Sequence, residues 1–355
     1  MTKFDTEDLR FAVAAGIIDE ARAAALTAFV QQRQGVRDAM PAEDEPFEFF
    51  RGFSEIFITV GLAILVAGML GFAVVIGGDT LMPIAGVALS WGLSLYLIRR
   101  RRMTLPGIFM CASFGTFIAT ALVGLHEDIH PLIVSATGMV GLGLYFRVFR
   151  LPFAMFVFGL YGALGVLALL GGFSTLGGFA AELFDDGFDL RSGSSIAWGS
   201  LIAGIIAFVG GMYFDLRDPM RVSRHSATGF WLHMLAAPAM VNTIALSLLQ
   251  SEGDISYLYT ALALVAIAVL ALVIDRRSFL IAGIGYLGAI LIWALESRFD
   301  DATGGVLSLM LLGAFISALG IWWVGIRATL MRCLPDFPGK GRLPPWRSPD
   351  DGSSV

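Results

Sequence analysis

A short polar run carries the sharpest local signal for chemistry in the chain. His126, Glu127 and His130 fit the pattern H-E-x-x-H, in which two histidines one helical turn apart bind zinc and the glutamate acts as general base. A third histidine ligand is missing, because His225 and His233 belong to the opposite side of the predicted membrane. Two interpretations remain, a zinc hydrolase and a polar loop between two helices. We favour the loop, and we predict no cofactor.

His233 is the ionisable residue that lies deepest in a predicted membrane span. Such a residue faces the interior of a helix bundle by default, where it relays protons, lines a polar path or bonds to a neighbouring carbonyl. Asn242 follows nine residues later in the same span, half a helical rotation away. These two residues are our candidates for a substrate or ion path.

Four consecutive arginines, Arg99, Arg100, Arg101 and Arg102, separate two apolar stretches. Four guanidinium groups cannot cross a hydrocarbon layer cheaply, so this run must lie on one side of a membrane. Binding of anionic lipid is a second possible role, since each basic charge near the surface contributes about 1 kcal/mol. Topology alone already explains the run.

The composition is that of an integral membrane protein. The chain is 57% hydrophobic and 15% charged, with a mean hydropathy of +0.77, whereas soluble domains are about 25% charged. The two cysteines, Cys111 and Cys333, offer neither a disulfide framework nor a metal cluster. The lipid bilayer is therefore the expected partner, and no nucleic-acid partner is expected.

Ten apolar stretches have about the 20 residues that cross a bilayer. We therefore predict an all-α, polytopic membrane helix bundle with about ten transmembrane helices. The predicted spans are residues 54–77, 80–98, 105–125, 131–146, 151–171, 195–213, 227–250, 256–274, 278–295 and 303–326.

The basic residues are distributed very unequally between the two sides of these spans. Of the 24 Lys and Arg residues, 22 fall on the side of Arg99, and only Arg191 and Arg298 fall on the other. The positive-inside rule places the basic side in the cytoplasm. Because the number of spans is even, both termini are expected there.

Two segments outside the membrane complete the predicted organisation. Residues 1–46 contain capping residues and a modest apolar side, and they are expected to form a small cytoplasmic helical hairpin with a linker. Residues 47–330 form the ten-helix domain. Residues 331–355 are rich in proline, glycine and serine, which predicts a disordered cytoplasmic tail.

Five segments of the chain have a recognisable pattern, and they are residues 11–21, 52–58, 218–221, 229–238 and 275–278. With these segments the chain resembles a family of uncharacterised multi-pass proteins of proteobacterial inner membranes, whose N-terminal part resembles a domain of unknown function. The resemblance implies a bacterial inner-membrane location and no established activity.

Three functions are compatible with these features. We favour a transporter-like permeation of a small solute or ion, which would use His233 and Asn242. Alternatively, a membrane-embedded scaffold or regulator would recruit a cytoplasmic partner through residues 1–46. The third alternative is a periplasmic-face zinc hydrolase that uses His126, Glu127 and His130. An enzyme is the least favoured of the three.

Overall fold

The computed structural model describes most of the chain between Phe53 and Trp346. The described residues are 53–76, 80–126, 128–172, 175–178, 188–218, 221, 224–250, 253, 255–296, 299, 301–344 and 346. The predicted N-terminal hairpin in residues 1–46, the predicted base Glu127 and the last part of the predicted tail, residues 347–355, lie outside this set.

Ten long helices are described, and each is long and apolar enough to cross a membrane, the second together with the π-helical turn that follows it, as Leu81–Arg100. They are α1 (Phe53–Ile76), α2 (Leu81–Ser94), α3 (Leu105–Leu125), α4 (Pro131–Phe149), α5 (Phe153–Gly171), α6 (Ser195–Asp215), α7 (Arg224–Leu249), α8 (Ile255–Ile274), α9 (Ser278–Glu296) and α10 (Asp301–Cys333). Each predicted span corresponds to one of these helices, and the described residues contain no strand. The predicted all-α polytopic fold is therefore confirmed.

The connections join the helices alternately at two ends of the bundle, and the one between α5 and α6, residues 172–194, is the longest. We call the end that carries residues 99–102, 147–150, 217–218, 221, 224 and 276–277 the basic end. α2 reaches it through a π-helical turn, Leu95–Arg100. The described non-glycine residues with positive φ, which are Arg102, Arg150, Arg221 and Asp275, all lie at this end. They allow the chain to leave one helix and enter the next within a few residues.

Helices α1 to α5 pack into the first half of the bundle. α3 is central, since it contacts α1, α2, α4 and α5. An aromatic cluster of Trp91, Phe114, Tyr145 and Phe149 fills the space between α2, α3 and α4, with ring centroids 4.3 to 5.8 Å apart. The Tyr145 hydroxyl lies 2.7 Å from Ser94 Oγ, so the buried polar atom at this contact is satisfied between two helices.

Helices α6 to α10 form the second half, and α5 connects the halves through contacts with α6 and α7. α7 contacts α6, α8 and α9, whereas α10 packs on α8 and α9. The core of this half contains Ala236, Ala237, Val241, Phe279 and Trp323, all at most 1% exposed. Small residues dominate on α7, which permits close approach of its neighbours.

The chain continues beyond α10 as an irregular segment with a 3₁₀ turn, Lys340–Arg342. Leu343 is buried, and the carbonyl oxygen of Pro344 accepts a 2.8 Å hydrogen bond from Arg327 Nη2 on α10. Within the predicted tail, residues 331–333 thus belong to α10, and the chain returns to contact that helix at Pro344.

Candidate functional site

Asp215, the last residue of α6, is the centre of a buried group of charges at the basic end. Its Oδ2 atom lies 3.0 Å from Nε2 of His233 on α7 and accepts a 3.0 Å hydrogen bond from Nε of Arg276. Its Oδ1 atom accepts a 2.5 Å bond from Arg276 Nη2. His233 is 0% exposed and Arg276 is 1% exposed. One carboxylate therefore joins α6, α7 and the α8–α9 connection.

Asp275 organises a second group of charges beside the first. Its carboxylate lies 3.1 Å from Nη1 of Arg221 and 3.6 Å from Nε of Arg327, and it accepts a 2.8 Å hydrogen bond from Nε1 of Trp323. Arg221 also donates to the backbone oxygen of Asp275 at 2.6 Å. This carboxylate thus connects the α6–α7 loop to α10.

The end of α8 explains why Asp275 and Arg276 take part in both groups. Asp275 adopts a left-handed conformation with φ +59°, and the Arg276 N–H donates to the Ala271 carbonyl at 2.9 Å. This is the bond pattern of a Schellman helix end. Because the chain turns sharply there, consecutive side chains enter two separate contacts. We call Asp215, Arg221, His233, Asp275, Arg276, Trp323 and Arg327 together the basic-end network.

Two glycines make room for the network between α6 and α7. A Cβ atom at Gly229 would collide with the Asp215 carboxylate and would lie 3.1 Å from the carbonyl oxygen of Gly211. A Cβ atom at Gly211 would lie 2.8 Å from the His233 ring. The close approach of the two helices at this point therefore depends on both positions lacking a side chain.

The arrangement has two chemical consequences. First, buried ions are tolerated only when they are paired and hydrogen-bonded. Here the Arg276 guanidinium binds both oxygens of Asp215. This two-point contact holds the ends of three helices in one geometry. Second, a carboxylate accepts but does not donate, so the His233 Nε2 atom carries the hydrogen of their shared bond. The pair could exchange that proton if the ring were exposed to water. The rings of Phe208 and Phe279, with centroids 5.5 and 6.0 Å from that of His233, cover it.

Asn242, the second residue of the predicted path, has a different environment. Its Oδ1 atom accepts a 3.0 Å hydrogen bond from the hydroxyl of Tyr286 on α9. His233 instead bonds to Asp215 on α6, and the two residues of α7 are separated by ~13 Å of helical rise. They belong to separate helix contacts.

The two histidines of the H-E-x-x-H pattern lie at two different helix ends. His126 is the C-cap of α3, and His130 is the N-cap of α4, where its Nδ1 accepts a 3.2 Å hydrogen bond from the Leu132 N–H. The backbone is extended at both residues, so they do not share a continuous helical turn as this zinc pattern requires. No group of three or more His, Cys, Asp or Glu suited to a metal ion occurs among the described residues, which exclude Glu127.

The side chains of Arg99, Arg100, Arg101 and Arg102 are exposed at the basic end. Arg99 Nη2 donates to the Val148 carbonyl at 3.0 Å, and Arg101 Nε donates to the Tyr96 hydroxyl at 3.0 Å. The run is thus accessible where lipid headgroups would lie, and its predicted binding of anionic lipid stays a prediction.

Sequence reasoning placed His233 correctly inside a helix but missed its partners. Asp215 and Arg276 are 61 residues apart, and neither has a local motif. The sequence does contain a signal for these partners, because acidic residues lie next to arginines at the ends of predicted spans on the basic side. Arg327 also follows the last predicted span directly, although it lies within α10.

Comparisons with known proteins add no assignment to this geometry. No protein-family model matches the chain, and neither a curated protein nor a solved structure matches it significantly.

Proposed function

We propose that the chain is a membrane-embedded scaffold or regulator that recruits a partner through residues 1–46. The observation that carries this proposal is that the buried polar side chains of α6 to α10 form bonds within the protein. His233 and Arg276 are buried, and each bonds to the buried carboxylate of Asp215, so these groups hold neighbouring helices together. A permeation path would instead need polar groups that face a water-filled cavity.

The proposed location is the inner membrane of a bacterium, with both termini in the cytoplasm. Two features support it: the concentration of 22 of the 24 Lys and Arg residues on one side of the spans, and the resemblance described above. In this orientation the basic-end network and residues 1–46 are on the cytoplasmic side.

Transport is the second candidate, and one contact favours it. An imidazole and a carboxylate 3.0 Å apart within a bundle, as in His233 and Asp215, are a pair that proton-coupled carriers use. Under this alternative, opening of the contact between α6 and α7 would expose the pair to water.

Complementation of a deletion strain separates the two functions. The strain is screened for metabolite and stress phenotypes and then supplied with the wild type, a variant lacking residues 1–46, a variant lacking residues 347–355, or His233→Gln. The scaffold proposal expects the first truncation to fail, and it expects the second truncation and His233→Gln to restore growth.

Membrane abundance and the unfolding midpoint are measured for each variant, so that loss of protein is not mistaken for loss of function. A well-folded variant without residues 1–46 that restores growth fully would refute the scaffold. Failure of a well-folded His233→Gln protein in the same screen would then support transport.

A further inference from the structure

An apolar cavity of about 370 Å³ lies between α8, α9 and α10, a size within the range of about 300–1,000 Å³ typical of small-molecule sites. It adjoins the basic-end network and shares Trp323 with it. The middle of α8, the first half of α9 and one face of α10 form its walls. Representative lining residues are Leu264, Ala268, Leu280, Leu287, Phe315 and Leu319.

One end of this cavity is marked by a charge. Arg277 is the charged member of the lining set, and the other lining residues are apolar or glycine. Its guanidinium carbon lies 5.3 Å from the centroid of the Trp323 ring. The preceding residue, Arg276, is buried against Asp215, whereas Arg277 is exposed. The two neighbouring arginines therefore have different environments.

The cavity has the depth of one lipid leaflet. Arg277 stands in the connection between α8 and α9, where the chain leaves the membrane. From there to Leu287 the helix rises ~15 Å, which is half of the ~30 Å hydrocarbon layer. A chain that enters beside Arg277 thus reaches the middle of the bilayer along the cavity walls.

We propose that this cavity binds one acyl chain of an anionic phospholipid from the leaflet at the basic end, with the lipid phosphate at Arg277. The apolar walls suit an acyl chain, and a guanidinium offers several donors with the geometry of a phosphate group. Trp323 is held by its hydrogen bond to Asp275, so it provides a fixed ring beside the Arg277 guanidinium.

Photo-crosslinking with defined lipids tests this site in the full chain. The purified protein is reconstituted into vesicles that contain phosphatidylglycerol or phosphatidylethanolamine with a diazirine in one acyl chain, and labelled peptides are identified by mass spectrometry. Wild type is expected to be labelled on α8, α9 and α10, more strongly by phosphatidylglycerol than by phosphatidylethanolamine.

Two variants address the charge and the cavity separately. Arg277→Gln is expected to lower phosphatidylglycerol labelling about fivefold, as expected for one basic charge at the surface, and to leave phosphatidylethanolamine labelling unchanged. Gly320→Leu fills the cavity from α10, where a Cβ atom meets nothing within 4 Å, and it is expected to abolish labelling of the cavity peptides by both lipids.

The matched controls are Arg332→Gln and Gly313→Leu, both on α10. Arg332 is exposed and does not line the cavity, and Gly313 also has open space around its Cβ position. Both controls are expected to be labelled like wild type, with unfolding midpoints that match those of the two test variants.

Three outcomes would overturn the proposal: labelling unaffected by Gly320→Leu, labelling by both lipids that is equal in wild type and Arg277→Gln, or crosslinks from α10 to a second copy of the chain in place of lipid.

Discussion

Asp215 forms a buried ion pair with Arg276 through both of its carboxylate oxygens, and the contribution of this pair to stability can be measured. Breaking a buried ion pair by removing one partner costs about 3–5 kcal/mol, because the remaining charge stays buried without compensation. We therefore expect Asp215→Asn and Arg276→Met each to lower the free energy of unfolding by that amount. Unfolding of the detergent-purified protein, followed by circular dichroism, gives the measurement.

The double variant and a surface control make this prediction specific. Removing both partners together leaves no orphaned charge, so the effect of the double variant is expected to fall well short of the sum of the single effects. Arg342→Met removes an exposed charge beyond α10 and is expected to change stability by less than about 0.5 kcal/mol. Additive effects of the two single substitutions would show that the pair is not coupled.

Gly229 tests whether the contact between α6 and α7 depends on the absence of a side chain. In Gly229→Ala the new methyl group would collide with the Asp215 carboxylate, so either the helices separate or the ion pair shifts. Overpacking of this kind costs about 1–3 kcal/mol. Gly61→Ala on α1, where a Cβ atom meets nothing within 4 Å, is the control and is expected to be neutral or stabilising. Equal midpoints for the two variants would contradict this account.

At the scale of elements, Glu55 links the beginnings of two helices. This buried residue lies in the first turn of α1, and its Oε2 atom accepts hydrogen bonds from the N–H groups of Thr104 and Leu105, at 3.2 and 3.1 Å. It therefore caps α3 from another helix, at a terminus where the helix dipole favours a negative charge.

Glu55→Gln keeps the shape of this cap and removes its charge. We expect a loss of about 1–2 kcal/mol in the free energy of unfolding, the usual size of a helix-cap effect. The comparison variant is Asp336→Asn, whose side chain is fully exposed and makes a 3.3 Å contact with Lys340, a kind of surface pair that contributes little. If both variants unfold at the wild-type midpoint, the cap does not hold α1 to α3.

The elements themselves were predictable, whereas their contacts were not. Span positions follow from sums of hydropathy over about 20 residues, and these sums are local. The side of each connection follows from counting arginines. In contrast, the bond between Asp215 and Arg276 depends on which helix ends become neighbours, and hydropathy contains no information on neighbours. Glu55 illustrates the same limit, since its position in α1 could be predicted but its bonds to α3 could not.

At the scale of the whole molecule, the two halves of the bundle have different patterns of contacts between helices. In α1 to α5 a single helix, α3, contacts all the others, whereas in α6 to α10 contacts are shared among α7, α8 and α9. A carrier built from two inverted repeats would show the same pattern of helix contacts in both halves. The buried ion pairs among the described residues all lie in the second half, so we expect its basic end to unfold as one unit.

The orientation of the whole bundle can be tested with the cysteines that the chain already has. Cys333 is exposed at the basic end, and Cys111 is buried at 0% exposure, so only Cys333 should react with a polar maleimide.

Asp128 is an exposed residue at the opposite end, between α3 and α4. With the basic end in the cytoplasm, we expect a membrane-impermeant maleimide to label Asp128→Cys in intact spheroplasts, and Cys333 only after the membrane is permeabilised. Cys333→Ser is combined with Asp128→Cys so that one site is read at a time. Labelling of Cys333 alone before permeabilisation would mean that the arginine-rich connections face outward, and the partner of residues 1–46 would then have to be sought outside the cytoplasm. Labelling of both sites would contradict the odd number of membrane crossings between Asp128 and Cys333.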